Sequence, residues 1–298
     1  MRWGARVLAA LWASASILRL AASETEPANV ILIMADGIGY ECLGAYGSAY
    51  YRTPRLDALA AAGTRFDHCY SQPLCTPSRV KLMTGLSNVR NYVGFSIFPQ
   101  SSRSIGRYFQ DQGYATGVFG KWQLYGAEHY GERFRGKGTL PEEAGFERHA
   151  LWQVDRLGSR FWGPLLRIDG ENRQFGPDEY GPSVVADHLL QFISDHRVTP
   201  FLVYYPMILV HSPFEPTPSS ASRLELDKQK NFADMVEMMD RIVGQIVDHV
   251  EALGLADRTH ILFIGDNGTH KNIRSPLGAR VIQGGKGSPT DAGTRVPL

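Results

Sequence analysis

The sequence predicts an α/β protein with a mainly parallel, doubly wound sheet flanked by helices. Four short, mainly apolar runs, at residues 29–35, 114–119, 201–205 and 260–264, are predicted strands, and the first has the pattern of a strand buried on both faces. Stretches with helical periodicity separate these runs, and such alternation is typical of βαβ units. The 298 residues, 43% hydrophobic and 20% charged, suffice for a large globular core.

Helices are predicted between the strands. Residues 53–62 begin with Thr-Pro and end before a glycine, and residues 102–112 are amphipathic and also end before a glycine. Ser183 is the expected N-cap of a third helix. Residues 231–253 form a long amphipathic stretch whose methionines are most simply explained as core packing.

The segment 124–182 has poor periodicity, so it predicts long loops and short edge elements. An irregular segment of this length inside a compact domain is usually functional, and here it is the expected rim of a substrate site. Five of its side chains are candidates to line a sugar or aryl site, or are simply core aromatics and exposed charges: Tyr125, His129, Arg133, Trp152 and Trp162.

The N-terminus has the pattern of a signal peptide, predicted here as residues 1–23. Arg2 and Arg6 precede an apolar run at residues 7–18, which is too short to span a bilayer, and small residues follow at 21–23. Arg19 lies close to the expected cleavage site, which leaves an uncleaved anchor as the alternative. We expect export through the secretory pathway, with residues 24–298 as the mature chain.

The formal net charge of +1 gives no reason to expect a nucleic-acid partner. The three cysteines do not make a disulfide framework. If Cys75 is used chemically, Cys42 and Cys69 remain as one bridge or as two thiols, and the sequence does not decide between them.

Cys75 opens the most informative segment of the chain. Thr76 suits a helix N-cap and Pro77 suits the first helical position, so Cys75 is expected one residue before a helix N-terminus. The positive end of that helix favours an anion or a lowered thiol pKa, and Arg79 lies about one turn further on. A buried cysteine beside an ordinary helix cap is the alternative.

Five polar residues follow predicted strand ends. In a doubly wound sheet the ligand site lies beyond the carboxyl ends of the strands. The residues that fall there are Asp36, Lys121, His211, Asp266 and Asn267. Each has an ordinary alternative: Asp-Gly and Asn-Gly are common turns, a single lysine is usually solvated, and a histidine before a proline turn is often structural.

The run from Cys75 to Arg79, Cys-x-Pro-Ser-Arg, followed by Thr84-Gly85, resembles the nucleophile motif of the sulfatase family, and the resemblance extends from Asn29 to Leu298. It implies an alkaline-phosphatase-like fold and hydrolysis of sulfate esters on a small molecule or a glycan. It also implies that a formylglycine-generating enzyme oxidises Cys75 to formylglycine, whose hydrate attacks sulfur. Lysosomal, endoplasmic reticulum and secreted locations all agree with it.

The resemblance also assigns roles. Sulfatases hold one divalent cation, usually Ca²⁺ and here Ca²⁺ or Mg²⁺, and their lysines bind sulfate while a histidine protonates the leaving group. Matched residue by residue, the metal ligands are Asp36, Cys75, Asp266 and Asn267, and the catalytic residues are Cys75, Arg79, Lys121, His211 and Lys286.

Two positions depart from the family pattern. The second of two adjacent aspartates is Gly37, so one anionic ligand is lost and metal affinity is expected to fall, unless a water fills the gap. The family's Gly-Lys-Trp-His here ends in Gln123, which cannot accept a proton near neutral pH. We therefore expect slow release of sulfate, a substitute base such as His270, or a changed reaction.

In sulfatases the segment around Leu298 continues into a last strand and a smaller C-terminal domain, so the resemblance predicts an incomplete catalytic domain without the C-terminal subdomain. Two other functions stay open. One is a phosphodiesterase or phosphonate hydrolase on the same scaffold, although that superfamily's phosphatases use Ser or Thr as the nucleophile. The other is a catalytically impaired or inactive protein that retains the pocket.

Overall fold

The computed structural model describes residues 27–298, and its main body is one large sheet. The strands are β1 (Asn29–Ala35), β2 (Cys69–Tyr70), β3 (Ala115–Lys121), β4 (Arg148–Trp152), β5 (Leu165–Ile168), β6 (Glu171–Gln174), β7 (Phe201–Pro206), β8 (Thr259–Gly265), β9 (Arg274–Leu277), β10 (Arg280–Gln283) and β11 (Arg295–Val296). The helices are α1 (Pro54–Ala62), α2 (Cys75–Thr84), α3 (Asn88–Asn91), α4 (Ile105–Asp111), α5 (Gly181–Asp195), α6 (Lys228–Ala252) and α7 (Asp291–Thr294).

Seven strands form the main sheet in the order β6-β5-β4-β3-β7-β1-β8. The strands β4, β3, β7, β1 and β8 are mutually parallel, and the two antiparallel pairings, β4–β5 and β5–β6, lie at one edge of the sheet. The predicted α/β architecture with a mainly parallel sheet is therefore confirmed.

Helices cover both faces of the sheet. In β1, Ile31 and Ile33 contribute to one apolar cluster and Met34 to the other, as the two-residue period of a strand requires. The first cluster includes the apolar sides of α5 and α6, and the second includes Val80 and Met83 of α2. This double burial explains why the strand sequences are continuously apolar.

The four strands and the long helix α6 lie where the sequence places them, within a few residues, but three predictions need correction. Helix α2 begins at Cys75 itself, because the Thr76 hydroxyl accepts a hydrogen bond from the Ser96 N–H at 3.0 Å and does not cap the helix. Helix α5 begins at Gly181, with Tyr180 as N-cap, so Ser183 lies inside the first turn. The helix predicted at residues 102–112 begins later, at Ile105 after the N-cap Ser104.

The segment 124–182 is also more ordered than its sequence indicates. Besides the β5–β6 hairpin it contains β4, an interior strand that pairs with β3 and whose last four residues are buried. Cys42, Cys69 and Cys75 are all free thiols, so the possible bridge between the first two is not formed. The predicted signal peptide lies outside the described residues. None of the helices in residues 27–298 has the length and apolar character needed to cross a membrane.

Candidate active site

The carboxyl edge of the sheet gathers the residues that the sequence singles out. Asp36 follows β1, Lys121 ends β3, His211 lies in the loop after β7, and Asp266 and Asn267 follow β8. Their side chains meet around Cys75, the first residue of α2. A separate cavity of about 760 Å³, between α1, the outer edge of β8 and residues 297–298, is lined by none of them.

Cys75 lies at the centre of this cluster. Its Sγ is 3.4 Å from Asp36 Oδ1, 3.3 Å from Lys286 Nζ, 3.6 Å from Asn267 Nδ2 and 3.8 Å from Lys121 Nζ. The side chain is 2% exposed, so these polar groups replace water around the sulfur. An anion formed at this position is therefore surrounded by fixed donors and cations.

Asp36 is the anion that these cations share. Lys121 Nζ lies 2.6 Å from Oδ2, Lys286 Nζ 3.6 Å from Oδ1 and Arg79 Nη2 3.7 Å from Oδ2. Burial alone would raise the pKa of Asp36, but the positive charges of Lys121, Lys286 and Arg79 hold that pKa well below its ordinary value. The carboxylate is therefore ionised.

Arg79 connects three parts of the cluster from the first turn of α2. Its Nη1 donates to the Lys121 carbonyl at 2.7 Å, and its Nη2 lies 3.4 Å from Asp266 Oδ2. The guanidinium is fully buried. A buried arginine in this geometry fixes its neighbours as well as supplying charge.

Gly37 lies between Asp36, which precedes it in the chain, and Asp266, to which it is hydrogen-bonded. Its N–H donates to Asp266 Oδ1 at 2.8 Å, and its φ of +81° is a conformation that side chains rarely adopt. A Cβ built at Gly37 would lie 3.4 Å from Lys286 Nζ and 3.9 Å from Asn267 Oδ1. A longer side chain at this position would thus enter the cluster, as expected for a missing ligand.

The donor set suits a small divalent cation. Asn267 Oδ1 is buried and accepts no hydrogen bond within the described part of the chain. Burial, followed by the negative charge of Asp36, raises the pKa of Asp266 well above its ordinary value, so a bound cation would favour the ionised form of this acid. Hard oxygen ligands of this kind are those that Ca²⁺ and Mg²⁺ take.

His211 lies next to Asp36 and Cys75. Ligand atoms of these three side chains all lie within 4.8 Å of one another. Two backbone hydrogen bonds hold the loop against Asp36: Asp36 N–H to the Leu209 carbonyl at 2.8 Å, and Val210 N–H to the Asp36 carbonyl at 3.0 Å. Burial lowers the pKa of His211 to about 3, against the opposing effect of Asp36. The imidazole of the metal-free protein is neutral.

The backbone near the site is conformationally unusual. Among residues 27–298, four residues other than glycine have positive φ. Three of them are hydrogen-bonded to each other or to α2: Ser96, Gln123 and Gln153. Gln123 N–H donates to the Gln153 carbonyl at 3.1 Å, and Ser96 N–H donates to Thr76. Gln123 Oε1 is buried without a partner among residues 27–298. Strained, incompletely satisfied groups of this kind concentrate at functional sites.

His270 lies near the cluster rather than inside it. Its ring meets Phe214 edge-on at 5.5 Å, and its Nδ1 accepts a hydrogen bond from Asn272 N–H at 3.2 Å. Burial and then the charge of Lys286 lower its pKa. No hydrogen bond within residues 27–298 joins it to Cys75, so its role as a substitute base stays a prediction.

Sequence reasoning missed three residues around the site: Arg160, Thr269 and Glu41. Arg160 Nη1 lies 3.0 Å from His211 Nδ1. Thr269 donates its hydroxyl to the buried Glu41 carboxylate at 2.6 Å and accepts from Gly39 N–H at 3.0 Å. All three contacts join residues far apart in the chain, and no local pattern announces them.

Comparison with known proteins agrees with this geometry. A family model described as Sulfatase matches residues 28–298. Mouse (Mus musculus) steryl-sulfatase is 29% identical over 91% of this chain, and arylsulfatase A of Bos taurus is 30% identical over 97% of it. The chain spans 57% and 61% of the lengths of these two relatives.

Solved structures share the fold. The crystal structure of Ps i-CgsB superposes with a TM-score of 0.76 at 25% identity, covering 91% of this chain and 65% of that one, and was also solved with k-i-k-neocarrahexaose. Phosphonate monoester hydrolase of Agrobacterium radiobacter superposes with a TM-score of 0.64 at 18% identity, covering 91% of this chain and 67% of that one, a likeness of fold alone. Taken with the family model that matches residues 28–298, the geometry around Cys75 identifies this chain as a member of the sulfatase family.

Proposed function

We propose that this chain hydrolyses sulfate esters, with Cys75 converted to formylglycine as the nucleophile and one divalent cation at Asp36, Cys75, Asp266 and Asn267. The observation that carries the proposal is the position of Cys75 Sγ, within 4 Å of Asp36, Lys121, Lys286 and Asn267. The thiol sulfur marks the place at which the oxygens of the modified residue would act.

The bound cation would supply positive charge that stabilises an ionised nucleophile and polarises the sulfate. The chain's own cations act on the same group: Lys121, Lys286 and Arg79 converge on Asp36 and Cys75, where they can neutralise the sulfate oxygens as charge develops. Because the cluster is buried, these interactions are stronger than they would be in water.

His211 is the proposed acid for the leaving alcohol. When the bond between sulfur and the ester oxygen breaks, the proton on a ring nitrogen passes to that oxygen. Its loop is fixed to the backbone of Asp36, so the ring keeps its distance from the reacting group. To act as an acid the ring must first take up a second proton, because a neutral imidazole would otherwise have to become an imidazolate, and the negative charge of a bound sulfate ester would favour this uptake. Nδ1–H then donates to the Ser212 carbonyl at 2.6 Å, and Nε2 carries the proton that is transferred.

Peptide mass spectrometry across Cys75 tests the proposal, on protein expressed with the formylglycine-generating enzyme. Conversion removes roughly 18 Da from the peptide, because an aldehyde replaces the thiol. We expect this loss, together with release of phenol from an aryl sulfate that requires added Ca²⁺ or Mg²⁺. The Cys75→Ala variant is the control. An unmodified thiol on folded protein would exclude this mechanism.

One alternative is supported by specific residues. Gly37 removes an anionic ligand and Gln123 removes a proton acceptor, so the site could retain metal and sulfate without turnover. Metal-dependent thermal stabilisation without release of phenol would support this reading. For the substrate, we infer a sulfated small molecule or glycan, and for the chain we infer a signal peptide at residues 1–23 and export through the secretory pathway.

A further inference from the structure

Arg160 places a fourth cation beside the active site. Its Cζ lies 3.9 Å above the ring of Trp152, and its Nη1 lies 3.0 Å from His211 Nδ1. Trp152 ends β4 and pairs in register with Lys121 at the end of β3. Because Trp152 is itself buried, the stacked guanidinium rests on a rigid surface.

This guanidinium has no carboxylate partner of its own. Across residues 27–298, Arg160 forms no ion pair within 4.0 Å, whereas Arg79, Lys121 and Lys286 each have at least one. Asp36, Cys75 and Glu215 influence Arg160 only at longer range, and burial lowers its pKa. Arg160 is partly buried, and an arginine removed from water in this way usually has an anionic partner, because desolvating an unpaired charge is costly.

The position of Arg160 indicates which part of a substrate it meets. It adjoins His211, the proposed proton donor to the leaving alcohol, whereas Lys121, Lys286 and Arg79 surround the nucleophile. A group bound by Arg160 would therefore belong to the leaving alcohol and not to the transferred sulfate. The planar fork of an arginine fits a carboxylate or a sulfate with two parallel hydrogen bonds.

We infer that Arg160 is a specificity-determining residue that binds a second anionic group of the substrate, a carboxylate or another sulfate carried by the leaving alcohol. The inference rests on the proposed function, since it takes His211 as the residue facing that alcohol. It makes a polyanionic sugar a better substrate than a sulfate ester whose alcohol is neutral.

The test compares substrates that differ only in the second charge. A monosulfated disaccharide containing a uronic acid is assayed beside its methyl ester, and a disulfated disaccharide beside its monosulfated counterpart. We expect the wild-type protein to prefer the more anionic member of at least one pair by about tenfold in kcat/KM, roughly the effect of one charge-assisted hydrogen bond. The pair that shows the preference tells carboxylate from sulfate.

Arg160→Gln should abolish this preference and Arg160→Lys should retain part of it. Arg223→Gln is the matched control, because Arg223 also stacks on a tryptophan, Trp162, at 3.8 Å but is paired with Asp178. A role limited to orienting His211 would lower kcat/KM for both members of a pair equally. An unchanged ratio in Arg160→Gln, or no preference in the wild type, overturns the inference.

Equilibrium binding separates this inference from the proposed function. The same sugars are titrated calorimetrically into Cys75→Ala protein, which has no nucleophilic side chain at this position, with and without Arg160→Gln. Tighter binding of the more anionic sugars that depends on Arg160 supports the subsite even if turnover is absent. Binding that ignores the second charge overturns it even if the protein proves to be an active sulfatase.

Discussion

Lys121 Nζ lies 2.6 Å from Asp36 Oδ2, and neither side chain is more than 2% exposed. Lys121 ends β3 and Asp36 follows β1, and these two strands are separated in the sheet only by β7. Gly120 makes this approach possible, because a Cβ at that position would collide with the Pro206 carbonyl at the end of β7. The pair therefore joins the ends of β1 and β3 across β7, and both side chains also contact Cys75 at the start of α2.

Lys121→Met is expected to lower both stability and activity. Breaking a buried ion pair costs about 3 kcal/mol or more of unfolding free energy, and here the cost should lie near that lower value because Asp36 keeps Lys286 and Arg79. Loss of one charge-stabilising donor should lower kcat about 100-fold. Urea denaturation and an aryl sulfate assay measure the two effects.

Arg103→Met is the matched control for Lys121→Met. Arg103 pairs with Asp111 at 2.6 Å, but both side chains are about half exposed, so its removal should change stability by less than about 1 kcal/mol. Equal urea midpoints for the two variants would show that the Asp36–Lys121 pair does not contribute to the folded state as described.

Gly37→Asp should strengthen binding of a divalent cation. A side chain at this position points toward Lys286 Nζ and Asn267 Oδ1, and an added carboxylate would supply the missing anionic ligand. Without metal the variant should lose about 1 kcal/mol of stability, because φ is +81°. With Ca²⁺ we expect a Kd about tenfold lower than in the wild type, measured by calorimetry and by the shift in Tm.

Gly37→Ala carries the same backbone strain as Gly37→Asp but adds no ligand. It should lose similar stability without metal and gain nothing from Ca²⁺. If both variants respond to Ca²⁺ alike, position 37 does not face the metal, and the resemblance to the family's paired aspartates does not extend to this residue.

The sequence predicts much of the fold because its strands are strongly marked. β1, β3 and β7 are almost completely buried, and their mainly apolar sequences are typical of strands covered by helices on both sides. β8 lies at the edge of the sheet and is only partly buried, but its apolar run is still recognisable as a strand. β4 escaped prediction because Arg148 and His149 interrupt its apolar pattern, and tertiary pairing with β3 outweighs that local signal.

The gathering of polar groups at the carboxyl edge was also predictable, because parallel strands deliver their ends to one side. The start of α2 was not. Thr76 and Pro77 fit the local rules for a helix N-terminus, but Thr76 is engaged by Ser96, twenty residues later in the chain. Arg160 was missed for the same kind of reason, since its contact with His211 spans fifty-one residues and depends on how two loops pack.

Thr269 is expected to be needed for the shape of the site, although it touches no predicted catalytic side chain. Its hydroxyl links Gly39 N–H to the Glu41 carboxylate, and its carbonyl accepts the Lys286 N–H at 3.0 Å. Thr269→Val leaves the buried Glu41 without this donor, which should cost about 2–3 kcal/mol. Thr269→Ser keeps the hydroxyl and should retain most of the stability. Chemical denaturation that does not distinguish Val from Ser would contradict the proposed link.

Gln123→His tests the departure that most directly affects turnover. Gln123 has φ of +53°, and histidine tolerates this conformation better than most residues. The family's histidine at this position helps to release sulfate, and glutamine cannot accept a proton near neutral pH. Slow release in the wild type should appear as a rapid burst of phenol followed by a slow steady state.

In Gln123→His the burst should disappear and the steady-state kcat should rise by about 100-fold, the usual contribution of a positioned acid or base. Gln123→Ala, which also removes the unpartnered Oε1, provides the comparison and should keep the burst. If the wild type shows no burst and the histidine variant is no faster, sulfate release does not limit the rate. His270, whose lowered pKa keeps it neutral and able to accept a proton, would then be the residue to replace next.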